Sequence, residues 1–223
     1  MNSYTPHQSK YFAEQILLQR PQSSIDGLVS AMSGVKVDLN PHQVDAALFA
    51  VKSPLSTGAL LADEVGLGKT IEAGLVLAQC WAERRRHILL IVPAALRMQW
   101  RSELFEKFYI DSLLMESAVY NKLRKEGVTN PFDVRDRVVI CSYQFASKKA
   151  IDLQLPWDLV IIDEAHRLRN VYKSNNVMGK KLKKVLAGRK KLLLTATPLQ
   201  NNLMELYGLV SIIDDRVFGD DKT

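Results

Sequence analysis

Ala59-Leu60-Leu61-Ala62-Asp63-Glu64-Val65-Gly66-Leu67-Gly68-Lys69-Thr70 is the stretch on which the fold turns. It is a short apolar run, then a turn holding two glycines, then Lys-Thr opening a helix-forming segment. That order of strand, loop and helix is the setting a phosphate-binding loop requires. Gly66 and Gly68 allow a tight turn that brings backbone N–H groups close to phosphate oxygens. The helix that begins near Lys69 adds its positive N-terminal end. Lys69 is placed to reach the β and γ phosphates of a nucleotide, and the Thr70 hydroxyl to hold Mg²⁺. One position departs from the general pattern: Asp63 stands where the first glycine of such loops usually sits.

Working outward, the chain alternates between apolar runs and helical patterns. The runs Ala59–Ala62, Ile88–Val92, Val138–Cys141, Leu159–Ile162 and Lys191–Thr195 read as strands covered on both faces. Helices are expected over Lys69–Glu83, Ala95–Phe108, about Asn176–Ala187 and Leu203–Ile213. Between Ser112 and Asp136 the pattern suggests one more strand near Leu113 and a short helix around Tyr120–Lys125. Such alternation predicts an α/β domain with a parallel sheet flanked by helices, whose ligands bind beyond the carboxyl ends of the strands. Residues 1–38 read differently, as two short helices forming an N-terminal extension, so the main domain is expected over 39–223.

Two further strand ends carry chemistry. Leu159-Val160-Ile161-Ile162 runs into Asp163-Glu164-Ala165-His166. Unpaired carboxylates at the end of a buried strand are costly, which points to a cation nearby. Asp163 suits a magnesium ligand, direct or through water, and Glu164 suits the group that orients an attacking water. A plain helix-capping role for Asp163 is the competing reading. Leu192-Leu193-Leu194 runs into Thr195-Ala196-Thr197-Pro198, where Thr195 and Thr197 could hydrogen-bond the acidic pair and report whether the γ phosphate is present.

Composition sets the limits. A chain of 223 residues with 47% apolar and 24% charged residues holds one α/β domain and a small extension. The longest apolar run, Ile88–Leu96, is broken by Pro93 and falls short of the roughly 18 residues that cross a bilayer. Glu14 and Gln15 interrupt the only N-terminal apolar stretch, so no secretory signal is read and a cytoplasmic protein is expected. Cys80 and Cys141 lack metal-type spacing and read as reduced core thiols. The net charge of +6 and the cluster Lys180, Lys181, Lys183, Lys184, Arg189, Lys190 and Lys191 favour a polyanionic partner without requiring one.

These motifs together resemble superfamily-two helicases, and within them the Swi/Snf-related DNA translocases. Asp63 through Thr70, with its Asp in place of glycine, is similar to that group's motif I. Asp163 through Asn170 resembles motif II, a DEAH box. Thr195 through Asn202 followed by Glu205-Leu206 resembles motif III. Leu39-Asn40-Pro41-His42-Gln43 is similar to the adenine-reading Q motif, Val92-Pro93 through Trp100 and Glu103 to motif Ia, and Ser142-Tyr143 to motif Ib. The similarity runs from about Leu39 to Ile213, and points to bacterial members related to the RNA-polymerase-associated recycling ATPase.

The resemblance implies a RecA-like P-loop NTPase lobe, the first of two, with ATP and Mg²⁺ as cofactors. It implies ATP contacts from Gln43, Asp63, Glu64, Val65, Gly66, Leu67, Gly68, Lys69 and Thr70, with Thr70 and Asp163 on the metal. Glu164, Asp163 and His166 make up the catalytic set, and Thr195, Ala196 and Thr197 couple nucleotide state to movement. Pro93, Arg97, Ser142 and Tyr143 are the implied contacts to a nucleic-acid backbone, with Trp100 weighed between base stacking and core packing. The implied activity is ATP hydrolysis driving movement on nucleic acid, most simply duplex DNA. A DEAH-type RNA helicase and a nucleotide-gated protein-binding module stay open at this point. The partner lobe, which supplies arginine fingers, is expected outside residues 1–223.

Overall fold

The structure is a computed structural model that describes residues 40–52, 57–62, 68–173, 175–199, 203–215 and 217. The expected extension over 1–38 lies outside the described residues, as do Asp63–Leu67 of the phosphate loop and Gln200–Asn202.

Among the described residues, six strands form one parallel sheet: β1 (Gly58–Leu61), β2 (Ile88–Val92), β3 (Ser112–Leu114), β4 (Val138–Ser142), β5 (Leu159–Ile162) and β6 (Lys191–Leu194). Their order across the sheet is β1-β6-β5-β2-β4-β3. Among the described residues the helices are α1 (Pro41–Lys52), α2 (Lys69–Ala82), α3 (Arg97–Phe108), α4 (Ser117–Lys125), α5 (Tyr143–Lys148), α6 (Val177–Val185) and α7 (Leu203–Ile213). This is the α/β architecture expected from the alternating pattern.

The continuous apolar runs have a simple cause. Successive strand residues point to opposite faces, and both faces are covered. Along β2, Ile88, Leu90 and Val92 join a core under α1, α2 and α3, while Leu89 and Ile91 join a second core under α5, α6 and α7. Helix α2 is buried at every position from Ile71 to Cys80. Apart from Glu72 and Gln79 that buried stretch is apolar or small, and a helix covered on all sides belongs inside. It therefore holds its first turn, and with it Lys69 and Thr70, on a rigid mount.

Two helices went unread in the sequence. α1 was seen only as a motif, although Pro41 at its start and Ala47 and Ala50 on its buried face fit a helix. α5 has only six residues, too short for a periodic signal, and its one cue is Ser142, whose Oγ accepts the Phe145 N–H at 3.2 Å. At the expected helix over Ala95–Phe108, the first residues instead form a 3₁₀ turn, Ala94–Leu96, that leads into α3.

Helix α7 lies directly on the backbone that follows the acidic pair. A Cβ on Gly208 would stand 1.9 Å from the Arg169 carbonyl oxygen. The Arg169 guanidinium also meets Glu205 of α7 at 3.7 Å. Gly208→Ala must push backbone from backbone, so a loss of about 1–3 kcal/mol is expected. Thermal unfolding of the variant beside the parent reads it; an unchanged midpoint would mean that this close approach is absent.

Candidate nucleotide site and its neighbours

The ends of β1, β6 and β5 lie side by side, with Leu61 opposite Leu194 and Ile162 opposite Leu193. The phosphate loop, the Thr195 segment and the acidic pair each leave from one of these ends. Three motifs separated widely in sequence are thus brought to one edge of the sheet, where ligands of such folds bind.

At the start of α2, Gly68 has φ 89° and ψ 35°, a left-handed conformation suited to glycine. A side chain there would also collide with Gln43, whose Nε2 would lie 2.2 Å from the added Cβ. The buried Gln43 side chain comes from α1, and its Oε1 accepts the Asn40 N–H at 3.2 Å. The nominated adenine reader and the nominated phosphate loop therefore touch.

Asp163 is the best-anchored group in the site. It is 9% exposed. Its Oδ1 accepts the Glu164 N–H at 2.8 Å, and its Oδ2 accepts the Trp100 indole N–H at 2.8 Å. Its backbone N–H donates to Ile91 and its carbonyl accepts the Tyr143 hydroxyl at 2.5 Å. Burial pushes the carboxyl above its ordinary range. The Trp100 and Glu164 hydrogen bonds pull it back, the Glu164 charge adds to the rise, and nearby Lys69 opposes it. The electrostatic tie to Lys69 joins the acidic pair to the phosphate loop. The capping alternative has less support, because the bond Asp163 makes to the backbone runs to the very next residue.

Glu164 adopts φ 52° and ψ 46°, a left-handed conformation in a residue with a side chain. Such strain gathers at functional sites. It aims a half-buried carboxylate toward His166, whose Nδ1 lies 3.0 Å from Glu164 Oε2. Thr195 is buried; its N–H donates to the Leu61 carbonyl and its Oγ1 accepts the Thr197 N–H at 3.2 Å. That hydroxyl thus shapes its own turn, with Ala196 inside it and Thr197 exposed.

The residues fit the implied metal. Thr70 and Asp163 offer hard oxygen donors, and Mg²⁺ is commonly held by one or two carboxylates together with substrate phosphates. Among the described residues, no cluster of His, Cys, Asp and Glu could hold a metal by itself. The buried Asp163 carboxylate, raised by desolvation, is a group that a cation would relieve.

The four residues nominated for nucleic acid separate into two sets. Arg97 and Ser142 line one cleft of about 410 Å³, with Glu116, Gln144 and Lys148. Arg97 is held there by Glu116 at 2.6 Å and by the Ala94 carbonyl. Pro93 is buried, and its carbonyl accepts the Leu96 N–H. The Tyr143 side chain lies in the core with its hydroxyl spent on Asp163. Trp100 is likewise core, as its spacing with Leu104 suggested. Its bond to Asp163 was missed, although a buried indole N–H must find an acceptor somewhere.

The basic cluster also divides. Lys180, Lys181 and Lys184 are exposed on α6. Lys191 is buried in β6, donates to the Arg189 carbonyl at 3.0 Å, and is pushed down to about 8 by desolvation. Both cysteines are buried, with burial raising the thiols to about 11 at Cys80 and about 12 at Cys141. No helix among the described residues is long and apolar enough to cross a membrane.

Comparison with known proteins gives the family and the fold. YqhH of Bacillus subtilis, named an uncharacterized ATP-dependent helicase, is 40% identical over 177 residues, which are 78% of this chain and 29% of YqhH. The RNA polymerase-associated protein RapA of Yersinia pseudotuberculosis is 34% identical over 203 residues, 86% of this chain and 20% of RapA. The chain therefore spans under a third of the length of either relative. Among solved structures, the Sulfolobus solfataricus SWI2/SNF2 ATPase core in complex with dsDNA superposes with a TM-score of 0.68 at 21% identity, covering 84% of this chain and 38% of that one. That likeness establishes the RecA-like fold. The model of the SNF2-related domain matches residues 28–223, and the chain belongs to that family.

Proposed function

We propose that this chain is the ATP-binding lobe of a motor that hydrolyses ATP to ADP and phosphate and moves along double-stranded DNA without separating its strands. One observation carries the reading most: a buried, doubly hydrogen-bonded Asp163 at the end of β5, within electrostatic reach of Lys69 at the end of the phosphate loop. In this reading Gln43 meets the adenine. Asp63–Leu67, Gly68 and Lys69 hold the phosphates. Thr70 and Asp163 hold Mg²⁺, which neutralises phosphate charge when bound. Glu164 orients the attacking water, with His166 beside its carboxylate. Thr195, Ala196 and Thr197, next to both loops, relay nucleotide state. Arg97 and Ser142 grip the phosphate backbone of DNA, with Pro93 and Tyr143 shaping the support beneath them. The protein is cytoplasmic.

Duplex DNA is preferred over RNA because the solved neighbour of the same fold carries dsDNA, and because Asp63 and the tail after Pro198 are of the Swi/Snf-related form. The test is ATP turnover by the full-length protein with duplex DNA, single-stranded DNA or RNA added. Stimulation by duplex is expected; stimulation by RNA alone would favour the RNA-helicase reading.

A second RecA-like lobe is proposed to complete the site with arginine fingers, which are worth roughly 10³–10⁵ in rate. Residues 1–223 alone are accordingly expected to bind nucleotide and to turn it over at least about 10³-fold more slowly than the full-length protein. Phosphate release by both, with a Glu164→Gln control, measures this. Equal rates would remove the need for a second lobe.

A further inference from the structure

Two segments nominated for DNA contact reach the same residue of the nucleotide site. Arg97 opens α3 in the shared cleft, and Trp100 follows three positions later, so both lie near one face of the helix. Trp100 is 2% exposed and its Nε1 donates to Asp163 Oδ2. Ser142 ends β4 in the same cleft, and Tyr143 follows it directly. Tyr143 is fully buried and its hydroxyl donates to the Asp163 carbonyl. One arm therefore holds the carboxylate and the other holds the backbone of the same aspartate.

We infer that Trp100 and Tyr143 are positioning residues for Asp163, setting its carboxylate to receive Mg²⁺. This inference rests on the ATP reading above. An ionised carboxylate has about four acceptor sites. The Glu164 N–H occupies one on Oδ1 and the Trp100 indole one on Oδ2, which leaves each oxygen a further lone pair and fixes its direction. A phenylalanine would have filled much of the same apolar space between the sheet and α3. What tryptophan adds is the N–H, and the N–H goes to Asp163. Removal of such an outer partner typically weakens metal binding about 10- to 100-fold. Tyr143 acts one bond further away, through the main chain, so its effect is smaller.

The experiment is calorimetric titration of the chain with ADP, first in EDTA and then across a magnesium series, for the parent, Trp100→Phe and Tyr143→Phe. In EDTA all three should bind ADP alike. The magnesium concentration that gives half of the affinity gain should rise about 10-fold or more in Trp100→Phe, and by less in Tyr143→Phe. A role in packing alone would lower the melting temperature or weaken binding in EDTA, and leave the magnesium midpoint in place. Tyr143→Phe loses only a hydroxyl, so it decides the matter should Trp100→Phe fail to fold. Parent-like magnesium midpoints in the folded variants would overturn the inference and leave the ATP reading intact. Absence of ADP binding by the parent would overturn both.

Discussion

Lys69→Ala should lower the affinity of the chain for MgATP by roughly 10- to 100-fold, the value of a hydrogen bond to a charged partner. The reason lies in the position of Lys69. It opens α2, a helix buried over most of its length, so its backbone is held firmly. Its ammonium already acts on Asp163, and the phosphates of a nucleotide would give it a second and stronger anionic partner. Alanine is an excellent helix former, so the substitution leaves the helix itself sound. Titration calorimetry with magnesium present, together with a melting curve, separates the two effects. Parent-like affinity would mean that the triphosphate does not lie against this turn.

Glu164→Gln should have the opposite profile. Nucleotide affinity should stay near that of the parent, while turnover by the full-length protein with duplex DNA falls about 10²- to 10⁴-fold, the usual contribution of a positioned acid–base group. Glutamine has the same length and can take the same left-handed backbone with equal strain. It cannot accept a proton from water or draw one toward itself. The contact with His166 and the N–H that Glu164 gives to Asp163 both survive the change. Steady-state kinetics with a binding measurement alongside would show the split. A loss of affinity with little loss of rate would place Glu164 in binding rather than in the chemical step.

Much of the fold was legible because buried parallel strands announce themselves as continuous apolar runs. Ile88–Val92 and Leu159–Ile162 were read to the residue, and Leu203–Ile213 likewise. Edges were less clear where a strand end also begins a turn. Ser142 belongs to β4 although it is polar, because it caps α5. The helix α5 itself is a single capped turn and a half, too brief for periodicity to show. In the site, glycines and paired carboxylates marked the places where chain and ligand meet. What the sequence could not show was direction. Trp100 and Tyr143 sit in motifs associated with nucleic acid, yet their side chains point inward to Asp163. A residue's motif says which segment it belongs to; only packing says which way the ring faces. The basic cluster taught the same lesson, since Lys191 faces the interior while Lys181 and Lys184 face water.

The central claim is tested most directly by a crystal structure of residues 1–223 grown with Mg²⁺ and a non-hydrolysable ATP analogue. The triphosphate is predicted against the backbone N–H groups at Gly68–Thr70, with the metal on the Thr70 hydroxyl and joined to Asp163 directly or through one water. A well-ordered chain with nothing bound at that sheet edge, or with nucleotide bound elsewhere, would contradict it.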